Sequence, residues 1–277
     1  MMTPAEGRPK GFPNMSSDST IRLERDGGIA KLTLTRPDAA NALNMEMAQA
    51  LMRAAIELDE DESVRAVLLT GEGKMFCAGG DLGAMNAAGD GTSAYLMELT
   101  TNLHAAISRF ARMRAPIVTA VNGTAAGAGF SMMCATELAI ASETAKFTMA
   151  YTGAGLSPDG SSTYFLPRII GTRRTLELML TNRVLNSAEA LEWGLVNQVV
   201  PADELMSTAE NLVEHLASGP TESYGLVKRL LLNSAYDSLE SQMEHEARGI
   251  AGSSRTADGK EGIAAFLEKR RPQFGGR

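Results

Sequence analysis

Two glycine-rich segments could hold an anion through their backbone amides. Each follows an apolar stretch, and they read FCAGGDL at Phe76–Leu82 and NGTAAGAGFS at Asn122–Ser131. Glycine lets the backbone approach a ligand closely and turn its N–H groups outward. The second segment also opens a predicted helix, whose free amides and dipole favour negative charge. Two such turns facing each other would form an oxyanion hole, although each segment alone is more simply an ordinary tight turn.

Neither segment is a nucleotide-binding fingerprint. The GxG spacing of Gly127–Gly129 lacks the last glycine of a dinucleotide-binding turn, where Met132 stands. The pair Gly73–Lys74 does not belong to a phosphate-binding loop, because Leu68 occupies the place of its first glycine. Composition and spacing alone indicate an α/β enzyme with an anion-binding turn.

Four further side chains are candidates for chemistry. Asp159 lies in a Pro-Asp-Gly sequence, which is also a strong turn signal. His104 lies on a predicted helix with Ser108 at i+4 on the same face, and a helical histidine near a core is more often structural. Cys77 and Cys134 lack an evident histidine partner and are interpreted as small core residues. The residues alone therefore favour structural roles for all four.

Strands and helices alternate along the first 200 residues, which indicates an α/β fold. The predicted strands are Ile29–Thr35, Arg65–Thr70, Ile117–Val121 and Glu137–Ala141. The predicted helices of this region are one capped by Asn44 that ends near Glu60, Ala94–Arg112 and one entered through Gly127–Ala135. From about Pro201 only helices are predicted, at Ala202–Ala217, Pro220–Leu232, Leu239–Gly249 and Lys260–Arg270. We therefore divide the chain into a flexible tail at residues 1–18, an α/β core at 19–200 that carries the active site, and a helical C-terminal part at 201–277.

Composition excludes several classes of protein. The 277 residues carry a net charge of −7, whereas nucleic-acid binding usually needs a basic surface. No stretch approaches the roughly 18 uninterrupted apolar residues of a membrane helix. The two cysteines have no paired spacing and the first residues have no apolar signal segment. We expect a cytoplasmic enzyme without a metal, a nucleic-acid partner or a membrane partner.

Three motifs, in their order and spacing, resemble the crotonase (enoyl-CoA hydratase/isomerase) superfamily. They are FCAGGDL, NGTAAGAGFSMMCATELAIASETAKF and GLSPDGSSTYFLPRIIG, and the likeness runs from about Ile29 to Phe274. The resemblance implies a crotonase-like spiral of repeated ββα units, an α-helical C-terminal oligomerisation part, and trimers that often pair into hexamers. It also implies an acyl-CoA thioester substrate, with coenzyme A present only as part of that substrate and no separate cofactor.

The resemblance also implies site residues. The thioester oxygen is expected between the amides of Gly80 and Ala128, the second at a position where the family usually has glycine. Phe266 and Lys269 of a neighbouring subunit are expected to pack on the nucleotide and to meet its 3′-phosphate. The remaining CoA contacts are expected from Ala40, Ala42, Ala78, Asp81 and Leu82.

Carboxylates decide which reaction follows. A hydratase of the family uses two glutamates on one water, and their positions are Ser131 and Tyr151 here, which we expect only to line the substrate pocket. Asp159 matches the proton shuttle of some enoyl-CoA and ring-opening isomerases and the nucleophile of chlorobenzoyl-CoA dehalogenases. His104 matches the water-activating histidine of those dehalogenases, but Leu103 and Gly80 replace aromatic residues of their aryl pocket.

The leading hypothesis is an acyl-CoA isomerase that stabilises a thioester enolate and uses Asp159 as its single acid/base. Dehalogenase-like aryl substitution with Asp159 and His104 is the second reading. Enoyl-CoA hydration and a catalytically silent acyl-CoA-binding subunit are the remaining alternatives.

Overall fold

The computed structural model describes residues 20–277, so the predicted tail at residues 1–18 lies outside the described residues. Two sheets contain the strands of this part of the chain. The larger has the order β1 (Ile21–Asp26), β2 (Ile29–Leu34), β3 (Ala66–Gly71), β5 (Ile117–Val121), β7 (Leu138–Ser142) and β10 (Gln198–Val200). The smaller has the order β4 (Met75–Cys77), β6 (Thr124–Ala126), β8 (Lys146–Thr148) and β9 (Leu185–Asn186).

The central strands are buried along their whole length and almost entirely apolar, because both faces of the larger sheet are covered. Every residue of β3 and β5 is buried, and β2, β3, β5, β7 and β10 pair in parallel. Parallel sheets covered on both faces have such uniformly apolar strands. Strand β1 is the exception, since it is antiparallel to β2 and mostly exposed at the edge.

Pairs of strands followed by a helix repeat along the chain. In each pair the first strand joins the larger sheet and the second joins the smaller: β3 then β4, β5 then β6, β7 then β8. This is the predicted spiral of ββα units, and the mixed α/β class is confirmed.

Three of the helices in the first 200 residues, α1 (Met45–Glu60), α3 (Thr92–Arg112) and α4 (Gly127–Cys134), begin and end within two residues of the predicted positions. Asn44 caps α1, and its side chain accepts the Met47 amide at 3.0 Å. The other helices of this region were not predicted, and they are α2 (Leu82–Ala87), α5 (Ser162–Ile170), α6 (Thr172–Thr181) and α7 (Ser187–Glu192).

The last four helices do not form one unit. Helix α8 (Leu205–Ala217) packs Leu205, Ala209 and Val213 on the larger sheet, so it belongs to the core although it follows residue 200. The helices that follow are α9 (Thr221–Asn233), which packs on α3 and α10, then α10 (Leu239–Ser253) and α11 (Ala257–Leu267). None of the helices in residues 20–277 is long and apolar enough to cross a bilayer.

A buried lysine fastens α9 to the core. The Lys228 ammonium donates to the carbonyl oxygens of Phe110 and Ala115, both at 2.9 Å, and lies 3.2 Å from the Glu137 carboxylate. Three acceptors match the three donors of an ammonium. The C-terminal helices therefore start from a fixed point beside the end of α3.

Candidate active site

The two glycine-rich segments meet because the short strands before them are neighbours. Strands β4 and β6 pair in parallel, so the turns after them leave the same edge of the smaller sheet. A Cβ placed on Gly79 would lie 3.0 Å from the Ala126 carbonyl oxygen and 3.3 Å from the Gly127 Cα. Gly79 and Gly127 also have positive φ, at 98° and 47°. Glycine is therefore required where the two turns touch.

Two backbone amides at this contact are available to a ligand. Ala128 lies in the first turn of α4, where amides have no partner within the helix. Gly80 lies in the loop between β4 and α2. In this loop the Ala78 and Asp81 amides donate to carbonyl oxygens of the segment that precedes α1. Neither the Gly80 nor the Ala128 amide donates to another residue of the described chain. Alanine is acceptable at 128 because its φ is not positive.

A cavity of about 350 Å³ opens at these amides. It is bounded by the two turns, by α2 and α3, and by the segment from Ala150 to Asp159. Among the described residues that line it, Asp159 carries the only charge. Its apolar lining consists largely of Leu43, Leu82, Met85, Leu96, Met97, Leu99, Leu103 and Leu156.

Asp159 faces the cavity from a loop that several hydrogen bonds hold. Strand β8 pairs in parallel with β6, so the chain after β8 reaches the same sheet edge as the two turns. The Asp159 carbonyl oxygen accepts from Ser162 Oγ at 3.0 Å and from the Tyr151 hydroxyl at 3.2 Å. The Asp159 side chain keeps 30% of its surface exposed, so its carboxylate can meet a ligand.

His104 contacts the Asp159 carboxylate directly. Its Nε2 lies 2.7 Å from Asp159 Oδ1, and its side chain is half exposed. His104 is therefore not a core histidine, contrary to the structural role that the residues alone favoured. Its ring also lines a second cavity of about 390 Å³, which includes Arg112, Tyr164 and Tyr236. The His104–Asp159 pair thus lies between the two cavities.

Ser131 and Tyr151 bond to each other instead of presenting carboxylates. Ser131 Oγ lies 3.0 Å from the Tyr151 hydroxyl and 3.1 Å from the Gly127 carbonyl oxygen. Ser131 is fully buried, and burial raises the pKa of Tyr151 above its ordinary value. Both side chains remain neutral at physiological pH. Tyr151 lines the cavity, whereas Ser131 lies behind it.

The predicted CoA loops lie together and fix one another. The Ala78 amide donates to the Ala40 carbonyl oxygen at 3.0 Å, and the Leu43 amide donates to Gly79 at 2.7 Å. Ala40 has φ of 53°, while Ala42 accepts a bond from the Arg36 guanidinium through its carbonyl oxygen. The backbone of both loops is therefore set before any ligand binds.

Asp81 has internal partners on both carboxylate oxygens. Oδ1 accepts the Ala84 amide at 3.0 Å and caps α2, and Oδ2 pairs with Arg36 at 3.0 Å. The Ala84 N–H, followed by Arg36, lowers the pKa of Asp81. Asp81 thus shapes the loop that presents Leu82, whose exposed side chain lines the cavity.

Two residues that the sequence did not single out organise this region. Arg36 joins both loops, as described. Asn41 is fully buried; its Oδ1 accepts the Arg36 amide, and its Nδ2 donates to the carbonyl oxygens of Glu72 and Met75 at 2.9 and 2.8 Å. Neither Arg36 nor Asn41, in a loop that reads RPDAANAL, carries a sequence signal that separates a buried structural residue from an exposed one.

The remaining predicted residues lie away from the cavity. Phe266 is 84% exposed near the end of α11, and Lys269 follows it with φ of 56°. Neither lines the cavity of its own chain, and their contact with CoA on a neighbouring subunit stays a prediction. Cys77 and Cys134 are buried free thiols, as predicted. Residues 20–277 contain no group of three or more histidine, cysteine or acidic side chains that could hold a metal ion.

Comparison with known proteins gives consistent matches over most of the chain. The family model described as enoyl-CoA hydratase/isomerase matches residues 24–277. A 1,2-epoxyphenylacetyl-CoA isomerase of Escherichia coli (strain K12) is 39% identical over 90% of this chain and 96% of its own. A 4-chlorobenzoyl coenzyme A dehalogenase of an Arthrobacter species is 37% identical over 92% of each chain. The crystal structure of an enoyl-CoA hydratase from Polaromonas sp. JS666 superposes with a TM-score of 0.87 at 32% identity, over 92% of this chain and 99% of the other.

Proposed function

This chain belongs to the enoyl-CoA hydratase/isomerase family, and from that premise we propose that it is an acyl-CoA isomerase with Asp159 as its acid/base. The resemblance to the crotonase superfamily inferred from the motifs is confirmed. The family includes hydratases, isomerases and dehalogenases, so the reaction must be argued from the site.

The observation that carries the proposal is a single carboxylate that shares a cavity with two free amides. The carboxylate of Asp159 takes a proton from the carbon alpha to the thioester: the C–H bond breaks and an O–H bond forms. The thioester oxygen becomes an enolate oxygen, and the amides of Gly80 and Ala128 stabilise it in an apolar cavity. Asp159 then returns the proton to another carbon, and the double bond moves. One carboxylate suffices because no water is activated.

Hydration is disfavoured by what occupies its two catalytic positions. A hydrating pair must activate and protonate one water. Ser131 and Tyr151 are neutral, and their hydroxyl groups bond to each other at 3.0 Å. A catalytically silent acyl-CoA-binding subunit is disfavoured because a charged Asp159 in an apolar binding cavity serves no purpose in binding alone.

Aryl substitution is a second candidate that one contact favours. The 2.7 Å contact of His104 with Asp159 would suit an aspartate nucleophile whose ester is hydrolysed by a histidine-activated water. The cavity argues against an aromatic ring. Leu103 lies in its wall, and a Cβ at Gly80 would collide with the Met85 methyl group, which fills the space above that glycine.

The substrate class that fits best is an aliphatic acyl thioester of CoA. Leucine and methionine side chains line the cavity, and Tyr151 supplies the only aromatic ring among its described residues. Flexible methionines adapt to chains of different shape. The enzyme is proposed to act as a trimer or a pair of trimers, in which α10 and α11 bury exposed apolar side chains such as Leu239, Ile250 and Phe266.

A panel of CoA thioesters tests the proposal. It should contain 3-enoyl-CoA and 2-enoyl-CoA esters of several lengths and 4-chlorobenzoyl-CoA, with products followed by mass and ultraviolet absorbance. We expect double-bond migration without a change in mass. Addition of one water to 2-enoyl-CoA at a comparable rate would establish a hydratase, and loss of chloride would establish the second candidate.

A further inference from the structure

We propose that Tyr151 is a positioning residue that holds the main chain of Asp159, and through it the carboxylate, in place for proton transfer. The inference rests on the proposed role of Asp159 as the base. The Tyr151 hydroxyl lies 3.2 Å from the Asp159 carbonyl oxygen and 3.0 Å from Ser131 Oγ. It thereby links helix α4, which carries the Ala128 amide, to the loop that carries the carboxylate.

The direction of these hydrogen bonds follows from counting protons. The two hydroxyl groups of Ser131 and Tyr151 have two protons for three close contacts, namely to Gly127, to each other and to Asp159. The Gly127 and Asp159 carbonyl oxygens can only accept, so each takes its proton from the hydroxyl group beside it. The Tyr151 hydroxyl therefore donates to Asp159, and Ser131 shares its proton between the Gly127 carbonyl oxygen and the Tyr151 oxygen.

The loop after Asp159 needs such an anchor. Gly160 and Ser161 both have left-handed conformations, with φ of 63° and 67°. This conformation is unfavourable for serine and persists only where the surroundings impose it. A Cβ at Gly160 would also lie 2.9 Å from the Ser131 Cβ, so the loop lies directly on α4.

Few other contacts fix the carboxylate itself. In the described chain its one side-chain partner is His104, which is half exposed and contacts Oδ1. The orientation of the carboxylate in the cavity therefore also depends on the main chain of Asp159. Ser162 is the second anchor, because it donates to the same carbonyl oxygen from its hydroxyl at 3.0 Å and from its amide at 3.4 Å.

The test begins with Tyr151→Phe, which keeps the ring that lines the cavity and removes only the hydroxyl. A misplacement of about 1 Å can reduce a rate by roughly two orders of magnitude. With Ser162 still in place, we expect kcat to fall about tenfold and KM to change less than about twofold. Tyr164→Phe is the matched control, because it removes a similar phenol bond, to the Leu232 carbonyl oxygen at 3.1 Å. The control should keep wild-type kcat.

A double-mutant cycle with Asp159→Asn separates positioning from a general structural effect. If Tyr151 acts through Asp159, Tyr151→Phe should lower kcat in the wild-type enzyme and leave the residual rate of Asp159→Asn unchanged. An equal loss in both backgrounds, or wild-type kcat for Tyr151→Phe, overturns the inference. Full activity of Asp159→Asn overturns the proposed function as well, and the two failures are thereby told apart.

Discussion

Substituting alanine for Gly129 tests whether the two turns must touch. A Cβ at Gly129 would lie 2.7 Å from both the carbonyl oxygen and the Sγ of Cys77. Ordinary contacts are about 3.5 Å, so α4 and the end of β4 must separate by roughly 1 Å. Overpacking of this kind costs about 1–3 kcal/mol of unfolding free energy. The Ala128 amide moves with α4, and a 1 Å error at a catalytic donor reduces turnover by roughly 100-fold.

The assay is turnover on the best thioester of the panel, with thermal melts of both proteins. Gly252→Ala is the control, because that glycine lies in α10, away from the cavity, and no described atom of its own chain lies within 4 Å of an added Cβ. It should keep wild-type turnover and gain up to about 1 kcal/mol from alanine's helix propensity. If Gly129→Ala keeps turnover within about threefold of wild type, the amide pair does not depend on this contact and the reasoning is wrong.

Three further predictions each concern one side chain. His104→Gln should lower kcat about tenfold or less if Asp159 is only a proton shuttle, whereas a loss of roughly 1000-fold with retained folding would favour the substitution mechanism. Asp81→Ala should lower the unfolding free energy by about 1–2 kcal/mol at pH 7, because it removes a helix cap. The Ala84 N–H and the Arg36 guanidinium lower the folded pKa of Asp81. The loss of unfolding free energy should therefore be full above about pH 4 and disappear as pH falls through the folded pKa. A loss that stays constant with pH in denaturant titrations would contradict this prediction. Lys269→Ala should weaken CoA binding more at low salt than at high salt, measured by calorimetry, and equal affinities at low salt would leave Lys269 as a surface residue.

Long elements of the fold were predictable from the sequence, and short ones were not. Strands β3 and β5 are apolar runs buried on both faces, and α1 has a capping asparagine. Strands β4, β6 and β8 have three residues each, which is too short for a detectable periodicity, and β4 and β6 overlap the glycine-rich motifs. Helix α5 contains Pro167, and β1 carries four charges in six residues. Neither element was therefore predicted from the sequence.

The site was predictable where one motif contains the feature and not where distant segments meet. The turns at Gly80 and Ala128 are visible as motifs. The contact of His104 with Asp159 joins residues 55 positions apart, and no periodicity indicates it. The Ser131–Tyr151 bond spans 20 positions and depends on the parallel pairing of β6 with β8. Both contacts are set by tertiary packing and not by local sequence.

The turnover number of Asp159→Asn tests the central claim most directly. Asparagine keeps the shape of the side chain and tolerates the same turn, so folding and CoA-thioester binding should be unchanged. Loss of the general base should reduce turnover by roughly two to four orders of magnitude on the best thioester of the panel. A folded Asp159→Asn enzyme that keeps most of its activity would contradict the account and leave Asp159 as a turn residue.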